Sequence, residues 1–277
     1  MAITNFIPTV WSENLLTALD KKYIGVANCS RDYEGDIKNQ GSVVKICGVG
    51  EITVSDYTKD TDMSAPQALD DTVTELVIDQ AKFFNFQIDD VDRAQCTPKL
   101  MDAALKNAAD SLCRDADRYV YGLWNKLSTT VANDDTTEES ILDTIVFARE
   151  KLYRAGVTDS SQVVLEVSPA IASILFRAKL NLATDNTPIL ENGCVGSIAG
   201  CKIYVSNNIV MEEAGPVNYH KCFLRTKRAI AFAEQLSEID AYRPEKRFAD
   251  AVKGLHLYGA AVIYPEEAIL LDMGIEA

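Results

Sequence analysis

The sequence predicts an α+β chain organised round one long helix, and three observations carry that prediction. Residues 98–127 place apolar side chains at helical spacing over about eight turns. β-type runs fill the stretch just before it. Beyond Asn133-Asp134-Asp135, helical and strand patterns alternate.

The chain opens irregularly. Asn5-Phe6-Ile7-Pro8 reads as extended, because Pro8 disfavours helix in the residue before it. Trp11, Leu15, Leu16 and Leu19 then fall at helical spacing, leading to Tyr23. Residues 31–40 are polar and turn-rich. Two β-type runs follow at 42–47 and 51–57, divided by Gly48-Val49-Gly50 and predicted as a mostly polar strand pair. A loop over 59–71 contains Pro66, and further strands are predicted at 76–78 and 83–88. Residues 51–92 carry eleven acids against Lys59 and Lys82, a net of −9. Acids there keep exposed strands from pairing edge to edge.

The helix over 98–127 has Thr97 as its cap and Pro98 at its first position. Leu105, Leu112, Ala116, Tyr119, Leu123 and Leu127 form its apolar stripe. Lys99, Asp102, Lys106, Asp110 and Arg114 lie opposite, placed for i,i+4 pairing. At ~1.5 Å per residue the helix would run about 45 Å, which suits a spine in an elongated subunit. Thr136 and Glu139 then suggest a capping box for a helix over 138–155, ended by Gly156. Residues 162–167 read as a strand with a continuous apolar run, Val163-Val164-Leu165, consistent with burial on both faces. Pro169 starts a shorter helix to Leu180, and a loop follows over 185–200. Short strands are predicted at 202–205, 222–224 and 229–232, then two strands around a turn over 242–264. No repeat, low-complexity tract or separating linker occurs.

Composition bounds the function. Apolar residues make 47 % and charged residues 25 %, a globular balance rather than a disordered one. The net charge of −14 argues against a general nucleic-acid binder, which needs a positive field. The longest apolar runs, at 229–233 and 259–264, fall far short of the ~20 residues a spanning helix needs. The first thirty residues lack the basic-then-apolar pattern of a secretory signal. Cys29, Cys47, Cys96, Cys113, Cys194, Cys201 and Cys222 are odd in number and contain no CxxC, so they read as free thiols.

A search for chemistry returns little. His220 and His256 are the only histidines and have no partner at ligand spacing. Asp89, Asp90 and Asp92 could hold a divalent ion or act as acid and base, but they lack calcium-loop grammar and read better as a cap or surface ion pairs. No G-x-S-x-G elbow, P-loop or G-x-G-x-x-G appears. Lys221, Arg225, Lys227 and Arg228 are basic but lack the interleaved aromatics of a single-strand binder; the acidic surface of a neighbouring copy suits them at least as well. With no catalytic set, no metal set and no cofactor motif, the chain is expected to be a structural or binding protein.

Five stretches resemble a known family: Ile7-Pro8-Thr9-Val10-Trp11-Ser12-Glu13-Asn14-Leu15-Leu16; Arg31-Asp32-Tyr33-Glu34-Gly35-Asp36-Ile37; Val77-Ile78-Asp79-Gln80-Ala81-Lys82-Phe83-Phe84-Asn85-Phe86-Gln87-Ile88-Asp89-Asp90-Val91-Asp92; Gly200-Cys201-Lys202-Ile203-Tyr204-Val205-Ser206-Asn207-Asn208; and Tyr258-Gly259-Ala260-Ala261-Val262-Ile263-Tyr264-Pro265. Together, and in this order, they resemble the major capsid (coat) proteins of tailed bacteriophages, in particular the Salmonella podovirus coat-protein group. The resemblance implies the tailed-phage and herpesvirus capsid fold of the Hong Kong phage type. Its parts would be an N-terminal arm at 1–30, an extended β loop at 36–75, a peripheral domain at 76–135 with the spine helix at 98–127, completed by 235–258, and an axial domain at 136–234, completed by 259–277.

The resemblance also implies a role: self-assembly as pentamers and hexamers into an icosahedral shell around double-stranded DNA. The shell would be built in the host bacterial cytoplasm and found in the virion, with no cofactor and no membrane. A portal protein is an expected partner. A separate scaffolding protein is expected too, since no long helical N-terminal extension is present. Subunit contacts are expected from Phe6, Ile7 and Trp11 in the arm and from Tyr57, Asp60 and Asp62 in the loop. Basic partners are expected among Arg225, Lys227, Arg228, Arg243, Lys246 and Arg247. Some relatives lock their shells with a Lys–Asn bond. Lys45 and Lys59 are present here, but no asparagine follows Asn218, so no such cross-link is expected. An encapsulin-like nanocompartment shell is the alternative on the same fold. A metal-dependent enzyme using Asp89, Asp90 and Asp92 is the alternative from another class.

Overall fold

The computed structural model describes residues 23–33, 42–49, 54, 56, 59, 71–89, 100–135, 137–181, 194–246 and 248–276. Among them, three sheets and three α-helices surround three hydrophobic clusters.

The two-stranded sheet pairs β1 (Val43–Val49) with β2 (Asp71–Val77), antiparallel from Val43↔Val77 to Val49↔Asp71. This corrects the expected pairing of 42–47 with 51–57. β1 runs on through Gly48, and Val54 and Asp56 are exposed and outside any strand.

The three-stranded sheet has the order β10-β11-β3, with β3 at Gln80–Asp89, β10 at Ile230–Tyr242 and β11 at Ala249–Val262. The short strand expected at 229–232 therefore extends to Tyr242. Polar residues such as Glu234, Gln235 and Asp240 interrupt its apolar pattern: the Glu234 side chain is enclosed by hydrogen-bonding partners and Asp240 is exposed, so neither extends an apolar stripe. The turn expected within 242–264 lies at 243–248, and β11 is a single strand of 14 residues.

Helix α1 (Leu100–Tyr121) packs on this sheet, burying Leu112, Cys113, Ala116 and Val120 against Phe232, Val252, Tyr258 and Ala260. Over its described residues it runs about 33 Å at ~1.5 Å per residue and stops short of the predicted Leu127, while the predicted cap Thr97 and first position Pro98 lie outside the described residues. Gly122 opens a 3-10 turn to Lys126, and Leu127 is extended. A helix end with poor helix propensity tightens readily into 3-10 geometry.

The seven-stranded sheet runs β4 (Thr129–Asn133), β12 (Ala268–Glu276), β9 (Val217–Thr226), β5 (Val163–Val167), β7 (Cys201–Val205) and β6 (Cys194–Ile198), with β8 (Met211–Ala214) on β9. Helices α2 (Glu138–Arg154) and α3 (Pro169–Asn181) cover one face through Ile141, Ile145, Leu152, Ile171 and Leu175. The other face joins the α1 core through Phe223, Ala268 and Leu270. β5 lies between the two cores and is buried at every residue, as its apolar run predicts.

The α2 cap is Thr137, whose Oγ1 accepts from the Ser140 amide at 3.3 Å, one residue later than expected. The preceding turn sets this register. Asn133 Oδ1 accepts from the Asp135 amide and Asp135 Oδ1 from the Thr137 amide. Gly156, at φ 87°, closes the helix as predicted. Cys29, Cys113, Cys201 and Cys222 are buried free thiols. No helix among the described residues is long and apolar enough to cross a membrane.

Candidate functional site

Two chain segments lie against the three-stranded sheet rather than within it. The first is the β1–β2 hairpin. Its inner residues Val44, Ile46 and Leu76, with Ile78 just beyond, pack on Ala231, Ala233 and Leu257. On its outer face Val43 faces Val77, and Val73 lies beyond the exposed Lys45–Glu75 pair; the three valines are each more than 40 % exposed among the described residues. β2 crosses β11 at Gly259, where a Cβ would meet Val77 O at 2.2 Å and Ile78 Cα at 3.0 Å. Both obstructing atoms are backbone and cannot rotate away. Gly259→Ala is expected to lower stability by about 1–3 kcal/mol, the usual cost of overpacking. Urea unfolding reads it, and an unchanged midpoint would contradict this contact.

The second segment is Tyr23 to Tyr33, the link between the N-terminal residues and the hairpin. Ser30 pairs with Ala231 in parallel, donating to Ile230 O at 2.9 Å and accepting from the Phe232 amide at 2.9 Å. Two buried polar clusters hold it. In one, the fully buried Arg225 donates to both oxygens of Glu166, at 2.9 and 3.0 Å. It also donates to Asn28 O at 2.7 Å and Gly25 O at 2.9 Å. Asn28 Nδ2 donates to Glu166 Oε1, and Asp117 accepts from the Ile24 and Val26 amides. In the other, Glu234 accepts from Tyr23 Oη at 2.6 Å and from Arg31, and contacts His256 Nε2 at 2.9 Å. Burial pushes the Cys29 thiol up to about 11 and the Cys222 thiol up to about 12, so neither is a ready nucleophile at neutral pH.

The expected contact residues scatter over this frame. Phe6, Ile7, Trp11, Tyr57, Asp60, Asp62 and Arg247 lie outside the described residues, as do Asp90 and Asp92. Asp89 is exposed at the end of β3. Arg225 is a correction. It is 0 % exposed and committed to Glu166 inside the fold, so it cannot reach a neighbouring copy. Arg228 is exposed but paired with Glu267, with its guanidinium over the Tyr264 ring. Lys227 is exposed beside it; Arg243 and Lys246 are exposed at the far end of β10. A 13-residue strand separates these ends by about 40 Å, so they form two basic points and not one patch. Lys221, the first residue of the basic run, is buried and paired with Asp272 and Glu212.

No family model matches the chain, and no curated protein matches it. Solved structures do. A chain from Mycobacterium phage Che8 is 26 % identical, aligns over 98 % of both chains and has a TM-score of 0.70. The capsid structure of Cyanophage P-SCSP1u matches at 14 % identity, over 87 % of this chain and 85 % of that one, with a TM-score of 0.68. The capsid of Ralstonia phage GP4 matches at 12 % identity, over 94 % and 90 %, with a TM-score of 0.65. The chain has the fold of tailed-phage capsid proteins.

In this capsid fold, of the groups that anchor the Tyr23–Tyr33 segment, Glu166, Asp117 and Glu234 were passed over in the sequence, and Arg225 was expected to face a neighbouring copy. A charge in an otherwise apolar strand was the available signal. Glu166 interrupts Val163-Val164-Leu165 and Val167, and Arg225 follows Cys222-Phe223-Leu224. Each charge buried alone would carry a prohibitive desolvation cost, so each implies the other.

Proposed function

We propose that this protein is a major capsid protein, a structural protein and not an enzyme. Copies associate as pentamers and hexamers that close into an icosahedral shell around phage double-stranded DNA. The end-to-end correspondence of fold with phage capsid chains carries this reading. In this reading β1 and β2 are the root of the extended loop over 36–75, α1 is the spine helix, and the seven-stranded sheet with α2 and α3 forms the axial domain.

The geometry supports it physically. A lone strand pair is marginal in water, yet β1–β2 presents Val43, Val77 and Val73 outward around the Lys45–Glu75 pair, a mixed face that a neighbouring subunit would cover. Single contacts can be weak, so misplaced subunits leave, while many together hold the shell. A net charge of −14 suits a container that must not grip phosphates. The scaffolding and portal proteins, and assembly in the bacterial cytoplasm, belong to the same proposal. The nanocompartment alternative is not favoured over it.

Negative-stain microscopy of the purified chain, alone and with its scaffolding protein, tests the reading. Hollow particles of uniform size with the scaffold are expected. A chain that stays monomeric under both conditions would overturn it. Native particles are expected to contain DNA, and a cargo of enzymes without DNA would point to a compartment. The particles should run as a single band on a denaturing gel, without a ladder of cross-linked multimers.

We further propose that Asp60 or Asp62 of one subunit meets Arg243 or Lys246 of another. Exposed pairs contribute only ~0–1 kcal/mol each and fade with salt. Arg243→Glu with Lys246→Glu should slow assembly at low salt but not at high salt, and Asp60→Lys with Asp62→Lys should restore it. Light scattering reads the rate; equal rates for all forms at low salt would remove the pairing.

A further inference from the structure

The turn at 24–28 is built round a carboxylate that needs no charge partner from a neighbour and has none of its own. Asp117 is 1 % exposed on α1. Its Oδ1 accepts from the Val26 amide at 3.0 Å and its Oδ2 from the Ile24 amide at 3.2 Å. Other charged and titratable groups surround it. Its own helix carries Asp110, Cys113, Arg114 and Tyr121, β5 brings Glu166, and the held segment brings Tyr23 and Cys29. Two cations are near: Arg114, whose Nε donates to Asp110 O, and Arg225 on β9, whose guanidinium is directed to Glu166 and to the carbonyls of Gly25 and Asn28. A cleft of about 540 Å³, lined by Ile24, Asp110, Arg114, Asp117, Ser206 and Asn208, opens beside the turn and gives water a path to the carboxylate once the turn lifts.

We propose that Asp117 is a proton-operated latch on the chain segment that enters the fold at Tyr23, tight when the carboxyl is protonated and looser when it is ionised. Two opposing effects set the direction. Protonation weakens one oxygen as an acceptor for the Ile24 or Val26 amide. Ionisation places an unpaired negative charge in a dry site facing Glu166. The second wins: burial, with the Glu166 charge, pushes the Asp117 carboxyl up to about 6, against the lowering effect of the Val26, Ile24 and Gly25 amides. With the turn lifted, the carboxyl meets water and returns to its ordinary value of 3.8. Protons therefore favour the closed turn, and opening becomes easier as pH rises from about 4 through about 6. The turn contributes Tyr23, Val26 and Cys29 to the α1 core, so its release opens that edge of the α1 core and leaves the core under α2 and α3 closed. This inference stands apart from the shell reading, since it concerns one folded chain.

Hydrogen–deuterium exchange on the full chain, corrected for intrinsic rates, tests it. Protection at Ile24 and Val26 should be about tenfold higher at pH 5 than at pH 8 by linkage, with a midpoint near 6. Amides of α2 and β5 should hold steady over the same range. In Asp117→Asn the pH dependence at Ile24 and Val26 should vanish. A flat wild-type profile would overturn the latch even if the variant fails to fold. So would a change shared equally by α2 and β5, or a dependence that survives in the variant.

Discussion

Replacing Arg225 with methionine should cost about 3–5 kcal/mol of folding stability, as breaking one side of a buried ion pair does. The guanidinium is 0 % exposed and makes four hydrogen bonds to oxygen, two of them to Glu166. Its removal strands the Glu166 carboxylate, also 0 % exposed, with Asn28 Nδ2 as its remaining side-chain donor among the described residues. It also leaves the Gly25 and Asn28 carbonyls without these donors, so the 23–30 segment should loosen first. Urea unfolding measures the loss. The double variant Arg225→Met with Glu166→Leu separates causes: it should recover much of the stability, because no charge remains buried. A single variant within 1 kcal/mol of wild type would show that the pair is not the clamp described.

Glu234→Gln should cost about 2–3 kcal/mol, the scale of a lost hydrogen bond to a charged group. Three groups from different parts of the chain converge on this carboxylate: Tyr23, Arg31 and His256. Burial alone would raise the Glu234 carboxyl. The His256 hydrogen bond and charge, the Arg31 charge and the Tyr23 hydroxyl outweigh burial and hold it below its ordinary value. Its stabilising contribution is therefore fully present above its unfolded value near 4.5 and is lost as pH falls through the lowered folded value. Asp117 has the opposite sign, stabilising the closed turn at low pH, so the two groups oppose each other in acid. Unfolding midpoints measured between pH 3 and pH 7 should show a steeper acid loss in wild type than in Glu234→Gln. Parallel profiles would assign the acid loss to other carboxylates.

Local pattern carried much of the fold. The helices over 138–154 and 169–181 and the buried strand at 163–167 follow from spacing, caps and apolar runs, which act within a few residues and so are legible in order along the chain. The strand over 230–242 was less legible, because the Glu234 side chain is enclosed by partners distant in sequence and Asp240 is exposed, so no apolar stripe marks its second half. β1 pairs with residues 71–77 and not with its nearer neighbour, because Val44, Ile46 and Leu76 must reach Ala231 and Leu257, more than 150 residues away in sequence.

The sequence by itself determined the α+β class, the helix positions, the two-sided burial of β5 and the likeness to phage coat proteins. Only the tertiary structure decided the fate of the charges. Arg225 and Arg228 stand three residues apart in one basic run, yet one is sealed against Glu166 and the other lies at the surface beside Glu267. Apolar flanks can mark a charge as buried, but which partner it meets depends on which distant strands fold beside it, and spacing along one strand does not specify that.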